Sequence, residues 1–360
     1  MFTAIDESLM TRALKLAQRG LYTTDPNPRV GCVIAHGGNV VGEGYTSPAG
    51  GPHAEVNALE QAGRHARGAT AYVTLEPCSH FGRTGPCADA LVKAGLKRVV
   101  AAMTDPNPLV NGQGLARLRA AGIEVRSGLL QAQAEALNVG FIKRMRTGLP
   151  LVRVKLGASL DGRTALANGI SQWITSEASL ADVQHWRARS SAILTGVGTV
   201  LADNPQLTVR APEIDMRGRQ PLRVICDAQL STPPGARTVQ EPGALIYTAV
   251  TPQTRGAAEI VQKPGDAHCG VDLLSVLGDL ASRGCNEVLV EAGAKLSGRL
   301  FELRLVDELL LYVAPVLLGP DARGLLQLPA IDNMQQRIEL TLLEMKSIGS
   351  DVRLHYQVKR

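Results

Sequence analysis

Two short stretches hold the side chains best suited to chemistry. LEPCSHFGRTGPCADAL, residues 75–91, sets Cys78 and Cys87 with eight residues between them, His80 and Arg83 included. GGPHAEVNALEQAG, residues 50–63, adds His53 and Glu55. The cysteine pair alone fits a disulfide, a redox pair or part of a metal site. A lone histidine is more often a surface or satisfied core residue, and a lone glutamate in a first helical turn usually serves the helix dipole. Together the four point to zinc, which takes about four ligands from thiolate, imidazole and carboxylate and keeps one position for water in a catalytic site. His53, Cys78 and Cys87 supply three. His53 follows Pro52 and Cys87 follows Pro86, so each is expected where a helix begins. A helix N-terminus favours the thiolate that binds metal. Residues two apart diverge in mid-helix, but at a helix start His53 and Glu55 can reach one site.

HAE followed downstream by two Pro-Cys pairs is the signature of zinc deaminases acting on amino-substituted pyrimidine or purine rings. Such a site makes water nucleophilic at neutral pH. Glu55, not a ligand, is expected to move a proton from that water to the ring and then to the departing ammonia. The common deaminase motif spaces its cysteines as PCxxC, whereas SHFGRTGP widens the gap here. That longer loop, with DPNPRVG (residues 25–31) and the HAE block, resembles the deaminase half of the bifunctional riboflavin-biosynthesis deaminase/reductase family. Its loop commonly reads TPPC where this chain has TGPC, with Gly85 for a proline. The resemblance implies that His80 and Arg83 face the ribose phosphate of a phosphoribosylaminopyrimidine and that Asn27 reads its pyrimidine. It also implies one zinc ion per chain.

In the second half the resemblance runs through KLGASLDGRTALANGISQWIT (155–175), HWRARSSAILTGVGTVLADNPQLTVR (185–210) and LVEAGAKLSGRLFE (289–302). It implies a reductase similar in fold to dihydrofolate reductase and using NADPH. By that likeness Gly157, Trp173, Thr199, Asp203, Ala228 and the run Gly293, Ala294, Lys295, Leu296, Ser297, Gly298 and Arg299 contact the cofactor. Ser171, Arg187, Leu207, Arg210 and Glu291 hold the substrate, the arginines meeting its phosphate, and Lys155 and Asp203 stand near the reacting centre. The residues themselves say less. GVGTVL lacks the third glycine of a dinucleotide fingerprint, and GAKLSGRL has Arg and Leu where a P-loop needs Lys and Ser or Thr. What remains is a strand, EVLVE, leading through Gly293 into a helix whose first amides suit a phosphate.

The elements that must position these residues alternate between helix and strand. Leu9, Ala13 and Leu16 predict a first helix ending at Gly20, and VGCVIA and VVGEGYT flank an HGGN turn as a hairpin. Helices are expected from about 53, from about 87, over GLARLRAAG and as one long helix over 131–146, with strands ATAYVTL, RVVAAM and IEVRS between them. That order suggests a layered α/β domain with a largely parallel later sheet, and the resemblance implies a cytidine-deaminase-like three-layer α/β/α fold. Pro150 ends any helix and Val152, Val154 and Leu156 alternate as a new strand, so the domains are set at 1–146 and 147–360. The second is also α/β, with strands AILTG, PLRVIC, GALIYTA, EVLVEAG and DELLLYVAP. APEIDMRGRQ (211–220) and QKPGDAHCG (262–270) are expected to be disordered.

Composition narrows the function classes. Six scattered cysteines in 360 residues do not make a disulfide framework, which leaves metal or catalytic readings in a reducing compartment. No apolar run approaches the roughly 20 residues of a membrane span, and the acidic start at Asp6 and Glu7 is unlike a signal peptide. The cytoplasm is the expected location. A net charge of +5 without a basic cluster, and only 3% aromatic residues, argue against a nucleic-acid surface. They suit a small anionic substrate. A homo-oligomer, dimer or tetramer, is expected. A nucleoside or tRNA deaminase with an unrelated second domain, and a structural zinc module, are the rival readings. An open fourth coordination position beside Glu55 disfavours the module, since structural zinc sites close with four protein ligands.

Overall fold

Thr3 and Asp6 cap the first helix reciprocally, each backbone N–H donating to the other's side chain at 2.9 and 3.2 Å. Helix α1 (Ala4–Gln18) starts there. The Asp6 carboxylate also accepts from Tyr72 and Arg98, both at 2.7 Å, and the Arg98 guanidinium holds its carboxyl well below the usual range. One buried acid thus ties α1 to the sheet. The computed structural model describes residues 1–79, 85–108, 110–265 and 270–359, and the chain divides into units 1–148 and 149–360.

In the first unit α1 is followed by the hairpin β1 (Gly31–His36) and β2 (Asn39–Tyr45), then α2 (Ala54–Ala62), β3 (Thr70–Val73) and α3 (Cys87–Lys93). After these come β4 (Arg98–Ala101), α4 (Gln113–Ala120), β5 (Glu124–Ser127), α5 (Gln131–Leu137) and α6 (Val139–Thr147). The strand order is β2-β1-β3-β4-β5, antiparallel among the first three and parallel from β3 onward. Glycines let helices lie directly on both faces. A Cβ on Gly31 would stand 1.9 Å from the Ala13 carbonyl oxygen of α1, and one on Gly44 2.6 Å from the Ala54 oxygen of α2. Gly44 pairs with Cys32, the neighbour of Gly31, and successive residues of a strand face opposite ways. α1 and α2 therefore cover opposite faces, giving three layers.

One expected element divides. Residues 131–146 form two helices because the Asn138 side chain brackets the backbone of Arg29, accepting from its N–H at 2.8 Å and donating to its C=O at 3.0 Å. A side chain committed to backbone outside its helix competes with helix continuation.

The second unit contains β6 (Leu151–Ser159), β7 (Arg163–Ala165), α7 (Glu177–Arg189), β8 (Ala192–Gly196) and α8 (Val197–Asp203). Next are β9 (Leu222–Cys226), β10 (Ala244–Thr248), β11 (Glu259–Gln262), α9 (Leu273–Ser282) and β12 (Glu287–Val290). The last elements are α10 (Ala294–Glu302), β13 (Glu308–Ala314), β14 (Arg323–Gly324), β15 (Leu340–Ile348) and β16 (Asp351–Val358). Nine strands form one sheet in the order β11-β10-β9-β8-β12-β6-β13-β16-β15, parallel up to β13 and antiparallel beyond it. Val152, Val154 and Leu156 enter the core on one face. On the other, Arg153 is buried between Glu287 and Glu308 with its guanidinium 4.8 Å from the Trp186 ring. Arg189 joins Glu287 at 3.0 Å and Asp182 accepts from Tyr312 at 2.5 Å, so α7 is fixed to the sheet by polar contacts at its middle and its C-terminal end.

Strands β11, β15 and β16 lie beyond the runs that sequence singles out. β15 is exposed from 340 to 347 and so lacks the buried alternation that marks a strand. Residues 211–220, expected to be disordered, form turns in which Ile214 and Met216 are buried and the Gln220 amide brackets the Val209 backbone at 2.9 and 3.1 Å. In 262–270, Gln262 ends β11 and Pro264 bridges Val271, while 266–269 lie outside the described residues.

Close seating of α2 on β2 should make Gly42 intolerant of a side chain, because its Cβ would meet the Ala58 carbonyl oxygen at 2.2 Å. Gly42→Ala is expected to cost about 1–3 kcal/mol, read as a lower melting temperature. Gly38→Ala, with nothing within 4 Å of its Cβ, serves as the control and should cost much less.

Candidate active sites

His53 is the N-cap of α2, Glu55 lies in its first turn, and Cys87 opens α3 after Pro86. Their ligand atoms converge: His53 Nδ1 is 3.3 Å from Cys87 Sγ and 3.7 Å from Cys78 Sγ, and all three lie within 4.8 Å of one another. Tetrahedral zinc with bonds of about 2.3 Å to sulfur and 2.0 Å to nitrogen would hold such atoms about 3.5–3.8 Å apart. The cluster fits zinc, and among the described residues it is the single group of three such side chains so placed. The thiols share a proton unevenly. Hydrogen bonds from Cys87 and then His53 draw Cys78 down to about 4, while the same contact and burial push Cys87 up. The Cys87 amide also donates to Cys78 Sγ at 3.3 Å.

Glu55 is 3% exposed, and burial raises its carboxyl to about 7. A carboxyl so poised can give and take a proton near neutrality. Cys32, fully buried on β1, is close enough for Glu55 to push its thiol further up after burial has done so. That neighbour has no signal in the sequence.

Glu76 holds the rim in place. Its Oε2 accepts the amides of Asp105 and Gly112 at 3.0 and 2.9 Å, and its Oε1 those of Gly114 and Leu115 at 2.9 and 3.2 Å. The connection leaving β4 and the start of α4 are thereby clamped to the segment running into Cys78. Gly114 permits the approach, since its Cβ would stand 1.9 Å from the Pro77 carbonyl oxygen. Glu76 sits within LEPC, but its partners lie some thirty residues on and nothing local marks them. Asn27 is half-buried in a turn, its amide on the Thr24 carbonyl at 2.9 Å. His80 and Arg83 lie outside the described residues.

The second unit contains two joined cavities. The larger, about 760 Å³, is lined by Gly157, Thr199, Asp203, Ala228, Gly293, Ala294, Lys295, Leu296 and Arg299 among others. A Cβ on Gly293 would meet nothing within 4 Å, and its φ of −72° suits any residue. Neither packing nor backbone requires glycine there, so the open space leaves α10's first amides accessible to a phosphate-bearing cofactor. Ser297 and Gly298 are turned elsewhere: Ser297 is fully buried and its hydroxyl donates to the Ala292 carbonyl, and a Cβ on Gly298 would stand 2.0 Å from the Gln327 oxygen.

The smaller cavity, about 510 Å³, is lined by Ser171, Arg187, Leu207, Arg210 and Glu291, with Trp173 on this side and not the other. Lys155, Gly157, Thr164, Ser171, Thr199, Asp203 and Glu291 border both cavities. Arg187 grips Glu291 through two hydrogen bonds of 2.6 and 2.9 Å and donates to the Thr208 carbonyl at 3.1 Å. Burial opposes ionisation of Glu291, but Arg187 and Lys155 outweigh it and hold the carboxyl below its ordinary range. Burial lowers the pKa of Lys155. Thr164 and Arg237, on the cavity walls, were not singled out from sequence.

Two family models match the chain, the cytidine and deoxycytidylate deaminase zinc-binding region over residues 3–103 and the RibD C-terminal domain over 150–354. The chain is 53% identical to the Escherichia coli riboflavin biosynthesis protein RibD, over 97% of this chain and 98% of that one. The chain belongs to the RibD family. The Haemophilus influenzae RibD is 47% identical over 99% of both chains. Among solved structures, Acinetobacter baumannii RibD superposes with a TM-score of 0.92 at 45% identity, covering 99% of each chain. A Thermotoga maritima diaminohydroxyphosphoribosylaminopyrimidine deaminase/5-amino-6-(5-phosphoribosylamino)uracil reductase gives 0.86 at 32%, again over 99% of each. As a RibD, the chain is a bifunctional deaminase and reductase of riboflavin biosynthesis, with a cytidine-deaminase-like domain followed by a dihydrofolate-reductase-like one. Its cofactors are zinc, with the His53, Cys78 and Cys87 cluster to hold it, and NADPH.

Purified protein is expected to contain about one zinc per chain, and Cys78→Ser or Cys87→Ser should lose most of it, because a neutral hydroxyl is a poor ligand beside a thiolate. Glu76→Gln keeps all three ligands but gives two of the four amides no acceptor; zinc affinity should fall about 10- to 100-fold. Elemental analysis and chelator competition read both. Wild-type zinc retention in all three variants would contradict the site and its clamp.

Proposed function

We propose that residues 1–146 deaminate 2,5-diamino-6-(5-phosphoribosylamino)pyrimidin-4(3H)-one and residues 147–360 reduce the product, with the side chains above in assigned roles. The observation that carries the first assignment is a buried carboxyl, Glu55, poised near 7 beside a ligand set that fits zinc. Zinc, when bound by His53, Cys78 and Cys87, supplies a water made acidic enough to act at neutral pH. Glu55 accepts that water's proton, returns it to the ring nitrogen, then takes the second proton from the hydroxyl added to the ring carbon and delivers it to the amine as the C–N bond breaks. A C–O bond replaces it, ammonia leaves, and the ring becomes a uracil. Asn27, His80 and Arg83 are assigned to the substrate.

NADPH, when bound, would supply hydride to the ribosyl carbon as its ring C–O bond opens and the freed oxygen takes a proton from water, and the chain's residues set where. Lys295, Arg299 and the amides of α10 hold the cofactor's phosphates, with Gly157, Thr199, Asp203 and Ala228 along its length. Ser171, Arg187, Leu207, Arg210 and Glu291 hold 5-amino-6-(5-phosphoribosylamino)uracil. Lys155 and Asp203 border both cavities, the place where cofactor and substrate must meet. The product is 5-amino-6-(5-phosphoribitylamino)uracil.

No described helix is long and apolar enough to cross a membrane. Thiolate ligands and small anionic substrates suit the reducing cytoplasm. A homo-oligomer, dimer or tetramer, is supported by edge strand β15, which exposes Leu340, Leu342, Leu343 and Met345 beside an unpaired backbone.

Glu55→Gln should keep its zinc while deamination drops at least about 100-fold, and should still oxidise NADPH when given the deaminated ribotide. Asp203→Ala should release ammonia normally while NADPH consumption falls. Undiminished deamination by Glu55→Gln would remove it from the mechanism, and failure of folded Glu55→Gln on the deaminated ribotide would refute a separate reductase. For assembly, light scattering should give a multiple of the monomer mass that falls to the monomer in Leu342→Lys/Met345→Lys; a monomeric wild type would refute it.

A further inference from the structure

The 510 Å³ cavity contains a cation that neither the sequence reading nor the assignment above uses. Arg237 opens a short 3₁₀ turn, Arg237–Val239, and lines the cavity with Arg187 and Arg210. Its place is fixed from below. Its backbone N–H donates to Asn204 Oδ1 at 2.8 Å, and the next hydroxyl, Thr238, donates to the Pro205 carbonyl at 2.5 Å. The segment held in this way leads directly to Leu207, whose φ is 54°, and on to Thr208, whose carbonyl accepts from Arg187. Arg210 is set by its own amide, which donates to Gln184 of α7 at 2.9 Å. Three elements thus bring three guanidinium groups to one wall.

Only one of the three is neutralised. Arg187 is paired with Glu291, whereas the guanidinium groups of Arg210 and Arg237 have no hydrogen-bond or ion-pair partner among the described residues. Arg210 is destabilised in its charged form by burial and then by repulsion from Arg187 and Arg237, so the three are close enough to oppose one another. Like charges in surplus cost free energy unless an anion joins them. The charged lining is Lys155, Arg187, Arg210 and Arg237 against Asp203 and Glu291, a surplus of two positive charges. Without Arg237 the surplus would be one. A phosphate monoester carries about −1.5 to −2 charges at pH 7.

We infer that Arg237 is the third arm of the phosphate subsite and selects the phosphorylated form of the reductase substrate, completing the charge match to a phosphate monoester dianion. The inference rests on the assignment of this cavity to the phosphoribosylamino substrate. Arg210 and Arg237 are exposed, and Arg187, pinned by Glu291, is the most buried of the three.

The test measures reductase kinetics in the full-length protein with 5-amino-6-(5-phosphoribosylamino)uracil and with the same compound lacking its phosphate. Arg237→Ala should raise KM for the phosphorylated compound about 10- to 100-fold, the range for a hydrogen bond to a charged group, with kcat changed little. KM for the dephosphorylated compound should stay within about twofold, and Arg237→Lys should recover part of the loss. Ammonia release from the diaminopyrimidine ribotide, which needs only the first unit, should match wild type and so reports folding. Equal effects on both compounds, or none on either, would overturn the inference. Arg187→Ala separates the two levels: if it discriminates between the compounds and Arg237→Ala does not, the third arm alone fails; if neither discriminates, the cavity assignment fails with it.

Discussion

The Glu76 carboxylate accepts backbone N–H groups from Asp105, Gly112, Gly114 and Leu115, and the geometry of the zinc site follows from that clamp. Four bonds to one ionised side chain lock the connection leaving β4 and the start of α4 against the segment that leaves β3, and charge-assisted bonds are roughly twice as strong as neutral ones. Cys78 lies two residues beyond Glu76, with its sulfur held by the Cys87 amide and its carbonyl accepting from Ala88. α3 is thereby brought to α2, which the glycines of β2 have already seated. Backbone contacts hold the ligand set in place, and part of the ordering cost of forming it therefore falls on the fold.

A second carboxylate plays the corresponding part after β12. Glu291 stands at the end of a strand in the middle of a parallel sheet, where ligands of such sheets bind beyond the carboxyl ends of the strands. Glu76 organises by accepting neutral amides and leaves the local charge negative, beside a site that takes a cation. Glu291 organises by fixing Arg187 and leaves the wall positive, beside a site we assign to a phosphate.

Local chemistry was legible in the sequence, and long-range support was not. His53, Glu55, Cys78 and Cys87 declare themselves through residue type and the preceding prolines, and the chain brings them together as expected. Val152, Val154 and Leu156 marked a strand because they alternate with the polar Arg153 and Lys155. The single helix expected over 131–146 breaks at Asn138, since the Arg29 partner that draws its side chain away is over a hundred residues distant. β15 escaped notice because it is exposed along almost its whole length. Arg237 lies in PGARTV, a stretch without a motif, and only its anchoring to Asn204, with that of Thr238 to Pro205, shows which way it is committed. Trp173 and Ser297 illustrate the limit of transfer by resemblance. One lines the neighbouring cavity, and the other is buried with its hydroxyl on the Ala292 carbonyl.

The central proposal is that the first unit deaminates the ribotide and the second reduces the deaminated product, so that ammonia release precedes hydride transfer. Wild-type protein incubated with the diaminopyrimidine ribotide and NADPH, with ammonia and NADPH followed separately in time, tests it most directly. Ammonia should appear first, NADPH loss should follow after a lag, and the two should converge on one equivalent each. NADPH oxidised ahead of ammonia, or without it, would contradict the account.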